Sequence, residues 1–315
     1  MKITMFSTKI WGQTDLFKKQ EVICFFGDSI TANGLWVAEV YQNIKKHCPV
    51  KCYNVGVAGA SAKKAALYLE KRCLSLNPDT VVMMFGINDI NYNLYSSERP
   101  AGENTEALKS AAIDTYKTEY EALVKRIIDF GARVIICIPP PYDEVNDKEE
   151  ENLRCQATLD KCGDFLKTLA ARYACTIVDF KSVMYPMLAE RDILSKDRIH
   201  PTPEGHHVMA QIFLKDVGLQ DRADFDTPFI FEKWNKERYD AEQELTLVNF
   251  IEYGVLLNEG YVDNLSLEER KRIARERLDG FDDKTLFFPS AYTAYIEKID
   301  SYESYMESVK EKTVF

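Results

Sequence analysis

Between residue 22 and about residue 215 the chain alternates short apolar runs with longer helical patterns, and this alternation limits the available folds more than any other feature. Strands are expected at Val22–Phe26, Cys52–Val55, Thr80–Phe85, Val134–Ile138 and Thr176–Asp179, all short and rich in β-branched or aromatic residues. Helices are expected near Leu35–Lys46, Ser61–Leu74, Thr105–Phe130, Glu150–Tyr173 and Pro203–Lys215. Crossovers of that length permit parallel pairing, and a sheet so connected has helices over both faces. The expected fold is therefore an α/β three-layer αβα sandwich around a five-stranded parallel sheet. Such sheets bind ligands beyond the carboxyl ends of their strands, so the residues that follow each strand are where chemistry is expected.

The 315 residues suffice for one large domain or two small ones. Residues 1–20 read as an N-terminal extension, 21–220 as the sheet domain and 221–315 as a helical C-terminal extension. Helical stretches are expected there at Glu232–Tyr253 and Ser266–Leu278, the second opened by a capping box of Ser266 and Glu269. Aromatic residues such as Trp234, Phe250, Tyr292 and Tyr295 demand burial in this extension, as cover for the sheet domain, as a lid or as a homo-oligomer interface.

With 46% hydrophobic and 29% charged residues the chain carries no signature of disorder. No apolar run approaches the ~18 residues of a membrane span, so none is expected. A net charge of -10 and a pI near 5.1 argue against a nucleic-acid partner, which needs a concentrated basic face. The first residues show no apolar core or cleavage site of a secretory leader, so a cytoplasmic location is expected. Eight cysteines without a CxxC pair then read as free, largely buried thiols.

An acid three residues before a histidine, Asp197-Arg198-Ile199-His200, can orient the imidazole as a general base. Such a base needs a nucleophile, and Ser29 offers one within Gly27-Asp28-Ser29, directly after the first apolar run. Read alone, Ser29 fits a helix N-cap equally well, and His200 a core-edge histidine. Acyl transfer also needs donors for a developing oxyanion. Gly59, where the second strand meets a helix, can present a backbone amide, and Asn88, in Gly86-Ile87-Asn88-Asp89, a side-chain amide. The alternative for both is an ordinary tight turn.

Gly27-Asp28-Ser29-Ile30-Thr31, Gly59, Gly86-Ile87-Asn88-Asp89 and Asp197-Arg198-Ile199-His200-Pro201 together resemble the four blocks of the SGNH, or GDSL, hydrolase family, in family order. The resemblance covers roughly residues 20 to 217. It implies a flavodoxin-like sandwich, Ser29 as nucleophile, the Ser29 and Gly59 amides and Asn88 as oxyanion hole, and Asp197 and His200 as the rest of a triad. Asp28 is expected to support the nucleophile turn. The expected activity is hydrolysis of carboxylic esters, with a short or acetyl acyl group on a carbohydrate or small ester. A lysophospholipase or thioesterase on longer chains, or a non-catalytic binding module, are the other readings.

No cofactor or metal is expected. His206 and His207 lie near His200, but adjacent histidines diverge on a helix. Gly56-Val57-Ala58-Gly59 lacks the dinucleotide spacing. Lys63 and Lys64 read as a solvated helix face. Tyr92, Tyr95, Pro140, Tyr142 and Tyr185 are candidate pocket walls.

Overall fold

The computed structural model describes residues 17–46, 48–97, 105–219, 248, 251–252, 256, 265–279 and 287–301. Five strands, β1 (Val22–Gly27), β2 (Lys51–Asn54), β3 (Thr80–Met84), β4 (Arg133–Ile138) and β5 (Thr176–Asp179), pair in parallel in the order β2-β1-β3-β4-β5. The helices are α1 (Ser29–Ala32), α2 (Leu35–Lys45), α3 (Ala62–Ala65), α4 (Thr105–Phe130), α5 (Gln156–Tyr173), α6 (Phe180–Met187) and α7 (Pro203–Asp216). The chain runs outward from β1 to β2 and then crosses back over β1 to β3. This reversal makes the carboxyl ends of β1 and β3 the topological switch point, where doubly wound sheets hold ligands.

Alternation along β1 divides the core into two layers. Ile23 and Phe25 face the helices α2, α6 and α7, with Trp36 packed edge-on against Phe25 at 5.3 Å between ring centroids. Cys24 and Phe26 face α3, α4 and α5. On α4 the buried residues Tyr116, Tyr120, Leu123, Val124 and Ile127 recur at helical spacing, and the Tyr116 and Tyr120 hydroxyls donate to the carbonyls of Phe85 and Met83. All eight cysteines are free thiols, six of them buried.

The helix α6 has no counterpart in the sequence expectation, and two of the expected helices differ from it. The segment expected as one helix over Ser61–Leu74 is α-helical only at Ala62–Ala65 and then widens into a π-type turn at Leu69–Cys73. In that turn the buried Arg72 side chain donates to the carbonyls of Val55 and Gly56, which tie the turn to the end of β2 and compete with a regular helix. The second, α5, starts at Gln156 rather than Glu150. Tyr142 holds the preceding residues irregular: its hydroxyl donates to Glu151 O and accepts from Leu153 N, and Arg154 takes a positive φ of 50°.

In the C-terminal region α8 (Leu267–Asp279) and α9 (Phe287–Lys298) pack on each other. Ser266 and Glu269 form the expected capping box, with Glu269 N donating to Ser266 Oγ and Ser266 N to Glu269 Oε2. Tyr292 and Tyr295 are buried there with Val248, Ile251 and Leu256. Most of the expected helix Glu232–Tyr253, with Trp234 and Phe250, lies outside the described residues, as do residues 1–16. Among the described residues no helix is long and apolar enough to cross a membrane.

Candidate active site at the carboxyl edge of the sheet

Ser29 is the first residue of α1, immediately after β1. Asp28 is its N-cap, and the Asp28 side chain accepts from Ile30 N at 3.0 Å. Gly56 lets the loop after β2 approach this turn, since a Cβ there would stand 2.5 Å from Ala32 N. Thus β1, its turn and the β2 loop together orient the serine.

From the other end of the chain, the loop after α6 brings His200 to Ser29. The Ser29 hydroxyl and His200 Nε2 are 2.7 Å apart, and His200 Nδ1 is 2.7 Å from Asp197 Oδ2. An ionised carboxylate only accepts, so Nδ1 carries the proton and Nε2 is left to accept from Ser29. The remaining oxygen, Asp197 Oδ1, accepts from Ser195 Oγ and from the amides of Ile199 and His200. Against partial burial, the hydrogen bonds and charge of His200 hold the Asp197 carboxyl well below the usual carboxylate range. Burial alone would depress His200, but the bond and charge of Asp197, with the charge of Asp28, raise it above 6.5. Burial dominates at Asp28, whose carboxyl is pushed up to about 6 despite the Ile30 amide.

The other two sequence candidates lie in the loops that follow β2 and β3. Gly59 has a φ of 71°, a backbone that only glycine adopts readily. Asn88 Nδ2 donates one hydrogen to Ala60 O at 2.9 Å, and Asp89 Oδ1 accepts from Ala62 N at 2.7 Å. The loop carrying Gly59 is thereby bound to the loop carrying Asn88. Among the described residues neither the Ser29 nor the Gly59 amide donates to a protein acceptor.

Sequence reasoning missed Arg198, which lies between the acid and the histidine. It is buried, has a φ of 68°, and its guanidinium donates to the carbonyls of Asp143, Asn146, Lys148 and Glu150. Left-handed backbone at a non-glycine residue is strained by about 1–3 kcal/mol, and here four hydrogen bonds and the Asp143 N to Arg198 O bond hold it. An arginine inside the motif was the only sign in the sequence. Lys64 also departs from expectation: it is half-buried, its ammonium reaches Gly59 O at 3.4 Å, and burial lowers its pKa.

His206 and His207 point into the layer under α7, a helix whose residues Gly205–Leu214 are all buried. His207 Nδ1 lies 2.8 Å from Glu39 Oε1 of α2. Burial, reinforced by the charge of His200, lowers His206 to about 3, so it is neutral at physiological pH.

A cavity of about 10 Å³ is walled by the chain neighbours of the site residues, Ile30, Ile87 and Ile199, with Pro139–Pro141, Tyr142 and Leu159. A second, of about 370 Å³, opens beside Asn88. Of the candidate walls, Pro140 and Tyr142 line the small cavity. Tyr95 binds Thr158 and packs with Tyr92 against the core, and Tyr185 stacks under Lys181 on the opposite face of the sheet.

A serine hydroxyl on a carboxylate-backed imidazole, at the switch point of a parallel α/β sheet, defines a serine hydrolase. The chain belongs to the GDSL-like Lipase/Acylhydrolase family, whose family model matches residues 25–208, and it is a carboxylic ester hydrolase. It is 24% identical over 222 residues to an acetylxylan esterase of Geobacillus stearothermophilus, a match covering 64% of this chain and 95% of that one. The solved structure of that esterase superposes with a TM-score of 0.54 at 24% identity over 64% and 95% of the two chains. Variants of it described as catalytic mutants replace a serine, an aspartate and a histidine, the last two three positions apart. BT4096, a gut microbial diltiazem-metabolizing enzyme, shares the fold over 96% of this chain and 97% of its own, with a TM-score of 0.72 at 16% identity.

Proposed function

We propose that this protein removes short acyl groups, acetyl foremost, from a carbohydrate or related small ester by way of a Ser29 acyl-enzyme. Ser29 Oγ attacks the ester carbonyl while its proton passes to His200 Nε2, and Asp197 steadies the imidazolium. The oxyanion is held by the amides of Ser29 and Gly59 and by the second Nδ2 hydrogen of Asn88. His200 then gives its proton to the leaving alkoxide as the carbon–oxygen bond breaks. Water, deprotonated by His200, attacks the acyl carbon and releases the acid, which restores Ser29. In this reading residues 21–220 carry the chemistry and 221–315 are an extension to it.

The observation that carries this reading is the pair of 2.7 Å contacts on either side of the His200 ring. The catalytic mutants of the Geobacillus esterase, replaced at the same residue types with the same acid-to-histidine spacing, support it. A short acyl group is supported by the cavity walled by the chain neighbours of Ser29, Asn88 and His200, whose roughly 10 Å³ is room for about one water-sized group. Carbohydrate as the alcohol rests on the acetylxylan esterase likeness. Eight free thiols support a reducing, cytoplasmic setting.

The test is a chain-length series of p-nitrophenyl esters together with acetylated xylo-oligosaccharide, on wild type and Ser29→Ala. A two-carbon optimum that vanishes in the variant is expected. Retained turnover by Ser29→Ala would overturn the nucleophile, and an optimum at eight carbons would overturn the short acyl group in favour of the lipase-like reading.

A further inference from the structure

The small cavity beside the site has a larger neighbour. Pro139, Pro140 and Leu159 line both the 10 Å³ cavity and a cleft of about 260 Å³ that lies along α5. Of these three, Leu159 is the side chain that can be shortened without altering the backbone of the Pro139–Pro141 turn. It is partly buried, and its Cδ2 reaches to 3.9 Å from where a Cβ on Gly86 would stand, at the start of the loop that carries Asn88. Beyond it the cleft is walled at its buried end by Ile138 and Cys162, and at its open end by Lys167, Lys181 and Asp160.

Resting on the short-acyl reading above, we infer that Leu159 is the specificity-determining residue that closes the acyl pocket at acetyl size and walls it off from this cleft. Shortening it joins the two spaces and gives a longer acyl chain room against the apolar walls of Ile138, Pro139, Pro140 and Cys162, before the cleft turns polar at Gln156, Asp160 and Lys181. Each methylene taken from water onto those apolar walls favours binding by up to about fourfold. A butyryl ester carries two more methylenes than an acetyl ester, so the ratio of kcat/KM for butyrate over acetate is expected to rise on the order of tenfold.

The experiment measures kcat/KM for two-, four- and six-carbon p-nitrophenyl esters on wild type, Leu159→Ala and the milder Leu159→Val. Leu159→Val keeps most of the packing, so it reports even if Leu159→Ala folds poorly. A graded rise in the four-to-two-carbon ratio, Leu159→Val below Leu159→Ala, is the expected result. Folded, active variants with the wild-type ratio overturn the role of Leu159 while leaving the acetyl reading intact. A wild-type optimum at long chains instead overturns that reading, and the wall with it.

Discussion

Ser29 Oγ and His200 Nε2 stand 2.7 Å apart although 171 residues of chain separate them. The contact joins the turn after the first strand to the loop before the last helix of the sandwich, so the reactive pair exists only once the sheet is assembled. Its behaviour is therefore set by the groups that surround each partner.

Activity should have an acid limb above pH 6.5, because Asp197 and Asp28 raise His200 above that value. Below the limb kcat/KM should fall about tenfold per pH unit, as only the neutral ring accepts the Ser29 proton. A pH–rate profile on p-nitrophenyl acetate checks this, and a limb near pH 5 would contradict it.

Asp28→Asn should separate stability from activity. The Asp28 carboxyl titrates near 6 in the fold and near 3.8 when unfolded. Its folded-state value is raised, so the stability linked to its proton is present below about pH 3.8 and is lost as pH rises through about 6. At pH 8 the buried charge costs on the order of 3 kcal/mol. Asparagine keeps an acceptor for Ile30 N without the charge, so the thermal midpoint at pH 8 should rise. Loss of the negative charge near the imidazolium should also move the acid limb to lower pH. Thermal melts and the pH profile of one variant test both.

Asp197→Asn should lower kcat by roughly 10⁴-fold, the scale of the same change in a serine protease triad, since the amide leaves His200 in the wrong tautomer. Oδ1 and its three hydrogen bonds can persist, but the fold lowers the Asp197 pKa and so gains stability from its charge above about pH 3.8, which the amide gives up. The melting temperature at neutral pH should therefore fall moderately while the variant stays folded. A variant that unfolds instead would assign Asp197 a structural role first.

Asn88→Ala should reduce kcat by about 10²- to 10³-fold with a small change in KM, the mark of a donor that acts in the transition state. The lost bond to Ala60 O would also loosen the Gly59 loop. Steady-state kinetics on the acetyl ester measure the split, and a change confined to KM would argue against the oxyanion role.

Arg270→Ala should unfold the C-terminal helices and spare the chemistry. Arg270 Nη1 lies 2.5 Å from Oε1 of the buried Glu252, which also accepts from the Tyr295 hydroxyl. Removing one partner of a buried pair costs about 3–5 kcal/mol. A new low-temperature melting transition with acetyl-esterase kcat within about twofold of wild type is expected.

The five strands, the bounds of α4 and the positions of Ser29, Asp197 and His200 follow from local patterns, and the structure brings all of them where those patterns point. Such features depend on period, turn chemistry and short spacing. What escaped depends on contacts between distant segments. The helix after Ser61 breaks because Arg72 reaches back to the β2 loop, and α5 starts late because Tyr142 occupies the residues before it. The small cavity is assembled from five separate stretches, so no run of sequence announces its size.

Arg198 also bears on how this molecule can change. The stretch 143–150 would pass for an ordinary connection whose length is free to drift, yet four of its carbonyls grip the residue wedged between the acid and the base. Insertions or deletions there would be transmitted to the imidazole as a misalignment. Engineering of that outer face should begin elsewhere.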